Sequence, residues 1–143
     1  MSFSGNYMAT SFKAEILKGN HDFTLTTGDV FKVALYDNNA SFTAATTDYT
    51  ATNEVSGTGY TAGGATLTNV TPVTSGTTAI VDFVDVAWSS ATFVTRGALI
   101  YNSTLGTAVV AVLDFGSNRT VNAGTFTITF PAADATSAIL RIS

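Results

Sequence analysis

Apolar and polar residues alternate with a period of two along several short stretches, which is the pattern of half-buried β-strands. The clearest case is residues 124–130 (GTFTITF), in which Phe126, Ile128 and Phe130 face one side and threonines face the other. Residues 29–37 (DVFKVALYD) alternate in the same way, and we expect a strand with one buried face.

Longer apolar runs indicate further strands. Residues 78–88 (TAIVDFVDVAW) are apolar on both faces apart from two aspartates, which predicts one central strand with a bulge. Residues 91–101 and 107–115 are separated by NSTLG, and a five-residue linker with a glycine is typical of a β-hairpin. The segment AILRIS predicts a last short strand at residues 138–143.

These strands are short, rich in β-branched residues and closely spaced, and they do not alternate with helices as in a parallel sheet. We therefore expect a mainly β chain that folds as a single antiparallel β-sandwich or jelly-roll-like domain. The expected core consists of Phe31, Val33, Leu35, Phe83, Leu99, Leu113, Phe126, Ile128 and Phe130.

The segment SFKAEILKGN predicts one short N-terminal helix. Ser11 is a candidate N-cap, and Gly19 is a candidate stop at the C-terminal end. Phe12, Ile16 and Leu17 are expected to share one face. Because a helix this short is marginal by itself, that face should dock on the β domain.

Residues 1–10 show no periodicity, which predicts an N-terminal arm followed by a β-sandwich domain at 11–143. An arm with three bulky apolar side chains suits contact with a neighbouring subunit, and the alternative is that it folds back over an edge strand. The candidate protein-contact residues are Phe3, Tyr7, Met8 and, from the glycine-rich turns, Tyr60.

Composition narrows the possible functions. Charged residues make up 11% of the chain, whereas about 25% is usual for soluble domains, and so weakly charged a surface favours association. The six lysines and arginines are dispersed in a chain of net charge −4, which disfavours nucleic acid as a partner. There is no cysteine, and no apolar run is long enough to span a membrane.

The residues that carry chemistry elsewhere give no convincing site here. The glycines of GTGYTAGG (57–64) lack the lysine of a phosphate-binding loop, so we interpret them as turns. His21 is the only histidine; a Ser–His–Asp triad stays open in principle, but a structural role in a loop is favoured. Asp82 and Asp85 are three apart on a strand and should face opposite sides. No catalytic, cofactor-binding or metal site is predicted.

Two further residues invite a structural interpretation. Arg96 lies within an apolar strand, which predicts an ion pair with Asp82, Asp85 or Asp114. Trp88 is a core anchor or, alternatively, a platform for stacking on a sugar.

Three stretches taken together resemble a family of small virion proteins of tailed bacteriophages: TNEVSGTGYTAGGATLTNVT, AIVDFVDVAWSSATFVTRGALIYNS and AVLDFGSNRTVNAGTFTITFPA. The resemblance covers most of the chain, including the helix SFKAEIL before the strand KVALY. It implies a non-enzymatic accessory head protein of the decoration or cement type. Such a protein would be made in the bacterial host cytoplasm and would sit on the capsid exterior, bound to the major capsid protein as a homotrimer.

A second function also stays open, namely a β-sandwich module of a phage tail or fibre that binds host-surface carbohydrate. It would need exposed aromatic residues in a cleft, for which Tyr49, Tyr60, Trp88 and Tyr101 are the candidates.

Overall fold

The computed structural model describes residues 3–143, which form two antiparallel β-sheets and one short α-helix. This arrangement confirms the predicted mainly β, sandwich-like single domain. In chain order, the elements are β1 (Tyr7–Met8), α1 (Thr10–Leu17), β2 (Phe31–Tyr36), β3 (Ala65–Thr66), β4 (Asn69–Ser75), β5 (Thr78–Phe83), β6 (Val86–Asn102), β7 (Ala108–Ile128) and β8 (Leu140–Ile142).

The hairpin of β6 and β7 is the central feature of the larger sheet, whose strand order is β1-β7-β6-β2-β3. The predicted hairpin is confirmed, and its last pair joins Asn102 to Ala108. Its strands are longer than predicted, at 17 and 21 residues. The polar segment between 115 and 124 stays within β7 because register shifts absorb extra residues, with positive φ angles at Ser90 and Ala123.

The smaller sheet has the order β4-β5-β8. The single central strand predicted for residues 78–88 is wrong, because the chain leaves this sheet after Phe83 and enters the larger one at Val86. At the crossing, a side-chain oxygen of Asp85 accepts a hydrogen bond from the backbone N–H of Phe130 at 2.8 Å. A carboxylate thus satisfies a backbone donor where the chain changes sheets.

The core is built around β2 and a group of aromatic rings. Phe31 stacks on Phe23 with a centroid distance of 4.3 Å, and Phe83 packs beside both rings. β2 is buried on both faces, contrary to the half-buried strand predicted, because the second face is also covered, as where Phe42 packs on Tyr36. Seven of the nine predicted core residues are buried, and Leu113 and Phe126 are partly buried.

The helix α1 forms as predicted, and Gly19 ends it. Gly19 has a φ of +74°, and the N–H of Asn20 donates to the carbonyl of Glu15 at 3.0 Å, which is a Schellman-type end. The N-cap is Ala9 rather than Ser11. Leu17 is 88% exposed because it lies about 1.4 turns beyond the buried Phe12 and therefore on another face.

Residues 3–9 lie along the larger sheet, which corrects the expectation of an extended arm over this part of the chain. Tyr7 and Met8 pair with β7, and Phe3 is buried against Phe42 at a centroid distance of 5.6 Å. Gly97 makes room for the Phe3 ring, since a Cβ there would lie 2.6 Å from it. Met1 and Ser2, the first two residues of the predicted arm, lie outside the described residues.

We expect Phe83→Ala to lower the free energy of unfolding by about 3–5 kcal/mol, as for other fully buried phenylalanines. Phe126→Ala should cost less, because Phe126 is only partly buried. Urea denaturation of both variants measures the difference. A midpoint for Phe83→Ala equal to that of the parent chain would contradict this description of the core.

Phe3→Ala should also destabilise the fold, by about 3–5 kcal/mol, because the ring is buried. Ser4→Ala is the matched control because Ser4 is exposed. Thermal unfolding of the two variants separates them. Equal thermal midpoints for the two variants would show that Phe3 does not stabilise the fold, as expected for a free arm.

Candidate functional site

Three features are candidates for a functional site: two polar clusters in the interior and one groove on the surface. The first cluster surrounds Glu54, in the long segment between β2 and β3. The Glu54 carboxylate accepts hydrogen bonds from the Tyr49 hydroxyl at 2.7 Å, the Tyr60 hydroxyl at 2.6 Å and the Gly63 N–H at 2.8 Å. All three donors belong to this same segment, so the carboxylate holds the segment together.

Tyr60 points inward rather than projecting from the turns. Its hydroxyl oxygen also accepts a hydrogen bond from the Leu35 N–H at 2.9 Å, and its ring packs near Phe93 and Trp88. Burial, together with the neighbouring Glu54 carboxylate, raises the pKa of Tyr60 above its ordinary value. Tyr60 is therefore part of the interior and is not a free contact residue in this conformation.

The same causes act on the other tyrosines of this cluster. Burial comes first and the Glu54 charge adds to it, and the pKa values of Tyr36, Tyr49 and Tyr101 are raised as well. Tyr49 stacks on Tyr101 with a centroid distance of 4.8 Å. All these hydroxyls are kept in their protonated, hydrogen-bonding form.

The glycine-rich segment forms turns that pack on the strands, as predicted. Gly64 has a φ of +82°, and a Cβ there would lie 1.9 Å from the Val33 carbonyl oxygen. The Gly63 N–H is bonded to Glu54, and its carbonyl accepts from the Tyr101 hydroxyl at 2.6 Å. This backbone is engaged with the protein itself rather than presented to a phosphate.

The second cluster contains His21, whose side chain is buried between aromatic rings. The Asn102 Nδ2 lies 3.0 Å from His21 Nδ1 and 2.7 Å from an Asp29 carboxylate oxygen, while the Asn102 Oδ1 accepts from backbone N–H groups. This amide orientation makes Nδ1 the acceptor, so Nε2–H donates to Glu15, 3.1 Å away.

Both ring nitrogens of His21 are thus engaged by Glu15 and Asn102, which ties the end of α1 to the end of β6. This arrangement supports the structural interpretation of His21. Sequence reasoning missed Glu15 and Asn102 as the partners of His21, and it missed Glu54 as the centre of the first cluster. Asn102 lies 81 positions from His21, and no spacing signal links residues that only the fold brings together.

The remaining predicted polar residues are dispersed. Arg96 forms its ion pair with Asp114, one of the three partners proposed for it. Burial acts to raise the pKa of Asp114, but the hydrogen bonds from Arg96 and the Gly116 N–H, together with the Arg96 charge, outweigh it, and the pKa is lowered. Asp82 and Asp85 do not form a joint site, and residues 3–143 hold no group of three or more His, Asp or Glu suited to a metal ion.

The surface feature of interest is an apolar groove of about 460 Å³ between α1, β5 and β8. We call it the α1–β8 groove. Phe12, Ile16 and Met8 form one wall, and Ile80 and Leu140 belong to the other. A second groove of about 270 Å³ adjoins it and includes Tyr7 among its lining residues; both grooves share Met8, Leu140 and Arg141.

The four candidate contact residues therefore separate into two pairs. Tyr7 and Met8 line surface grooves, whereas Phe3 and Tyr60 pack inward. Trp88 is 6% exposed, as a core anchor is, and contacts Tyr60 and Phe126.

Comparison with known proteins adds no relative: no protein-family model, curated protein or solved structure matches this chain. Within residues 3–143, no helix has both the length and the apolar character needed to cross a membrane.

The tyrosine cluster predicts a specific loss of stability in alkali. The pKa values of Tyr36, Tyr49 and Tyr60 are raised above 10.0 in the folded chain. Above about pH 10 the unfolded chain therefore holds fewer protons than the folded one, and the free energy of unfolding falls as pH rises. Urea midpoints from pH 8 to pH 11 measure the fall.

Tyr49→Phe removes one of the titrating hydroxyls, so its stability should fall less steeply above pH 10 while being lower at pH 8 through the lost hydrogen bond to Glu54. Parallel declines of the parent chain and Tyr49→Phe would show that Tyr49 does not contribute to the loss of stability in alkali.

Proposed function

We propose that this chain is a non-enzymatic structural protein of a bacteriophage virion, a head decoration protein that binds the lattice of the major capsid protein from outside and stabilises it. The main support for this proposal is the distribution of polar and apolar groups between the interior and the surface. The polar groups that could do chemistry are buried and bonded to one another, whereas large apolar side chains are exposed. Such exposed apolar surface is typical of protein–protein contact.

Several large apolar side chains are more than half exposed. Leu17 is 88% exposed, Ile142 62% and Val73 57%. Charged residues make up only 11% of the chain as a whole. A free protein gains nothing from such a surface, but an assembly subunit buries it against its partner.

The resemblance of the sequence to phage head proteins supplies the partner in this proposal. It also supplies the homotrimeric state on the capsid, a state that the exposed apolar residues support only as association in general.

The carbohydrate-binding alternative has no specific observation in its favour. Tyr101 and Trp88 are buried, and the hydroxyls of Tyr49 and Tyr60 are already bonded to Glu54. A sugar platform needs an exposed ring face, so we do not propose this function.

The test is to mix the purified protein with expanded capsids assembled without it, and to measure co-sedimentation and the thermal midpoint of the particles. We expect saturable binding and a higher particle midpoint, because a ligand that binds only the assembled lattice stabilises it. A glycan panel tested in parallel should show no binding. Absence of capsid binding would overturn the proposal, and a specific glycan hit would then favour the carbohydrate-binding alternative.

A further inference from the structure

The α1–β8 groove combines apolar walls with an apolar rim that is open to solvent. Eleven of its fifteen lining residues are apolar. At the rim, Leu17 is 88% exposed and Ile142 is 62% exposed, and each lies beside more buried apolar neighbours. A concave apolar surface of this kind gives an incoming side chain a place to be desolvated, which is how anchor residues contribute most of an interface's binding energy.

The groove also differs in charge from the rest of the molecule. Two of the six cationic residues, Lys13 and Arg141, line it, against one acidic residue, Asp22. The chain as a whole carries a net charge of −4. The groove is therefore a locally cationic site on an acidic protein.

The Arg141 cation is held in place. Its guanidinium donates to the backbone carbonyl of Thr136, and the turn that presents this carbonyl is fixed by Asp134. One oxygen of the Asp134 carboxylate accepts from the N–H groups of Thr136 and Ser137 at 2.8 and 2.7 Å. A charge already oriented before binding loses less entropy when a partner arrives.

Asp22, the one acidic residue in the lining, has its own local partner. Its carboxylate accepts from the Thr24 N–H at 2.9 Å, and the hydrogen bonds from Thr24 lower the pKa of Asp22. It stays ionised near neutral pH and partly offsets the two cations, which disfavours a partner segment with several negative charges.

We infer that the α1–β8 groove is the docking site for a segment of the major capsid protein that carries apolar side chains and one acidic side chain. The apolar side chains fill the groove between Phe12 and Leu140 and cover Leu17 and Ile142. The acidic side chain pairs with Lys13 or Arg141. This inference rests on the proposed function, whose partner it adopts, and adds where the contact lies and what chemistry it uses.

The test uses expanded capsids assembled without this protein and measures the dissociation constant by co-sedimentation. Leu17→Asp and the double variant Lys13→Glu/Arg141→Glu should each weaken binding by about tenfold or more, since they place charge on the apolar rim or reverse the groove's charge. The affinity of the parent chain should also fall as salt is raised.

The matched controls are Val94→Asp and Lys18→Glu. Val94 is 44% exposed on β6, away from the groove, and Lys18 is an exposed cation outside the lining. Both should bind capsids like the parent chain. A thermal midpoint near that of the parent chain shows that a variant is folded. We expect this result for Leu17→Asp because Leu17 is exposed.

The outcomes are distinguishable. If the parent chain itself does not bind capsids, the proposed function fails and the inference falls with it. If the parent chain binds and the groove variants bind equally well, only the inference is overturned. It is also overturned if groove variants and controls weaken binding alike, or if the groove variants abolish self-association in sedimentation while capsid binding persists, which would make a second copy of this chain the occupant.

Discussion

The pairing of β6 with β7 is the interaction on which the rest of the structure depends. One edge of this hairpin receives β2, and the other receives the two-residue β1, which brings the N-terminal segment onto the sheet. The start of β6 also carries the chain over from the small sheet, and its end carries Asn102, which holds His21 and Asp29. Because these attachments converge on one long-range pairing, local segments gain stability only once the hairpin has formed.

The polar interior engages two of the groups that could take part in chemistry. Glu54 and His21 each form hydrogen bonds within the protein. Removing one partner from such a network leaves a buried group unsatisfied, so these residues hold the long loops in place. Other apolar side chains are exposed instead: Leu17 and Ile142 lie at the groove, and Val70 and Val73 lie on β4 of the small sheet, where all four are open to a partner.

Strand alternation made much of the fold predictable. The hairpin linker, the strand through Phe126 and the last strand were all expected from local pattern. The crossing between the two sheets at Asp85 was not expected. An apolar run has the same pattern whether it lies in one sheet or crosses between two. The buried position of Phe3 also lay beyond sequence reasoning, since it depends on the space above Gly97 in a strand far along the chain. The groove was equally hidden, because its walls come from the helix and the last strand, and only the folded chain places them side by side.

The register shifts in the hairpin have a consequence for the behaviour of the protein in solution. β1 pairs with only Ala111 and Val112 of the 21-residue β7. A long, flat and weakly charged strand edge can pair with the edges of other copies and form fibrils. Because bulges bend a strand and increase its twist, these register shifts make the edge a poor template for an incoming straight strand. Pro72 and the adjacent irregularity in β4 have the same effect on the small sheet. Irregular strand pairing thus opposes association between copies of a protein whose surface has too few charges to prevent it by repulsion.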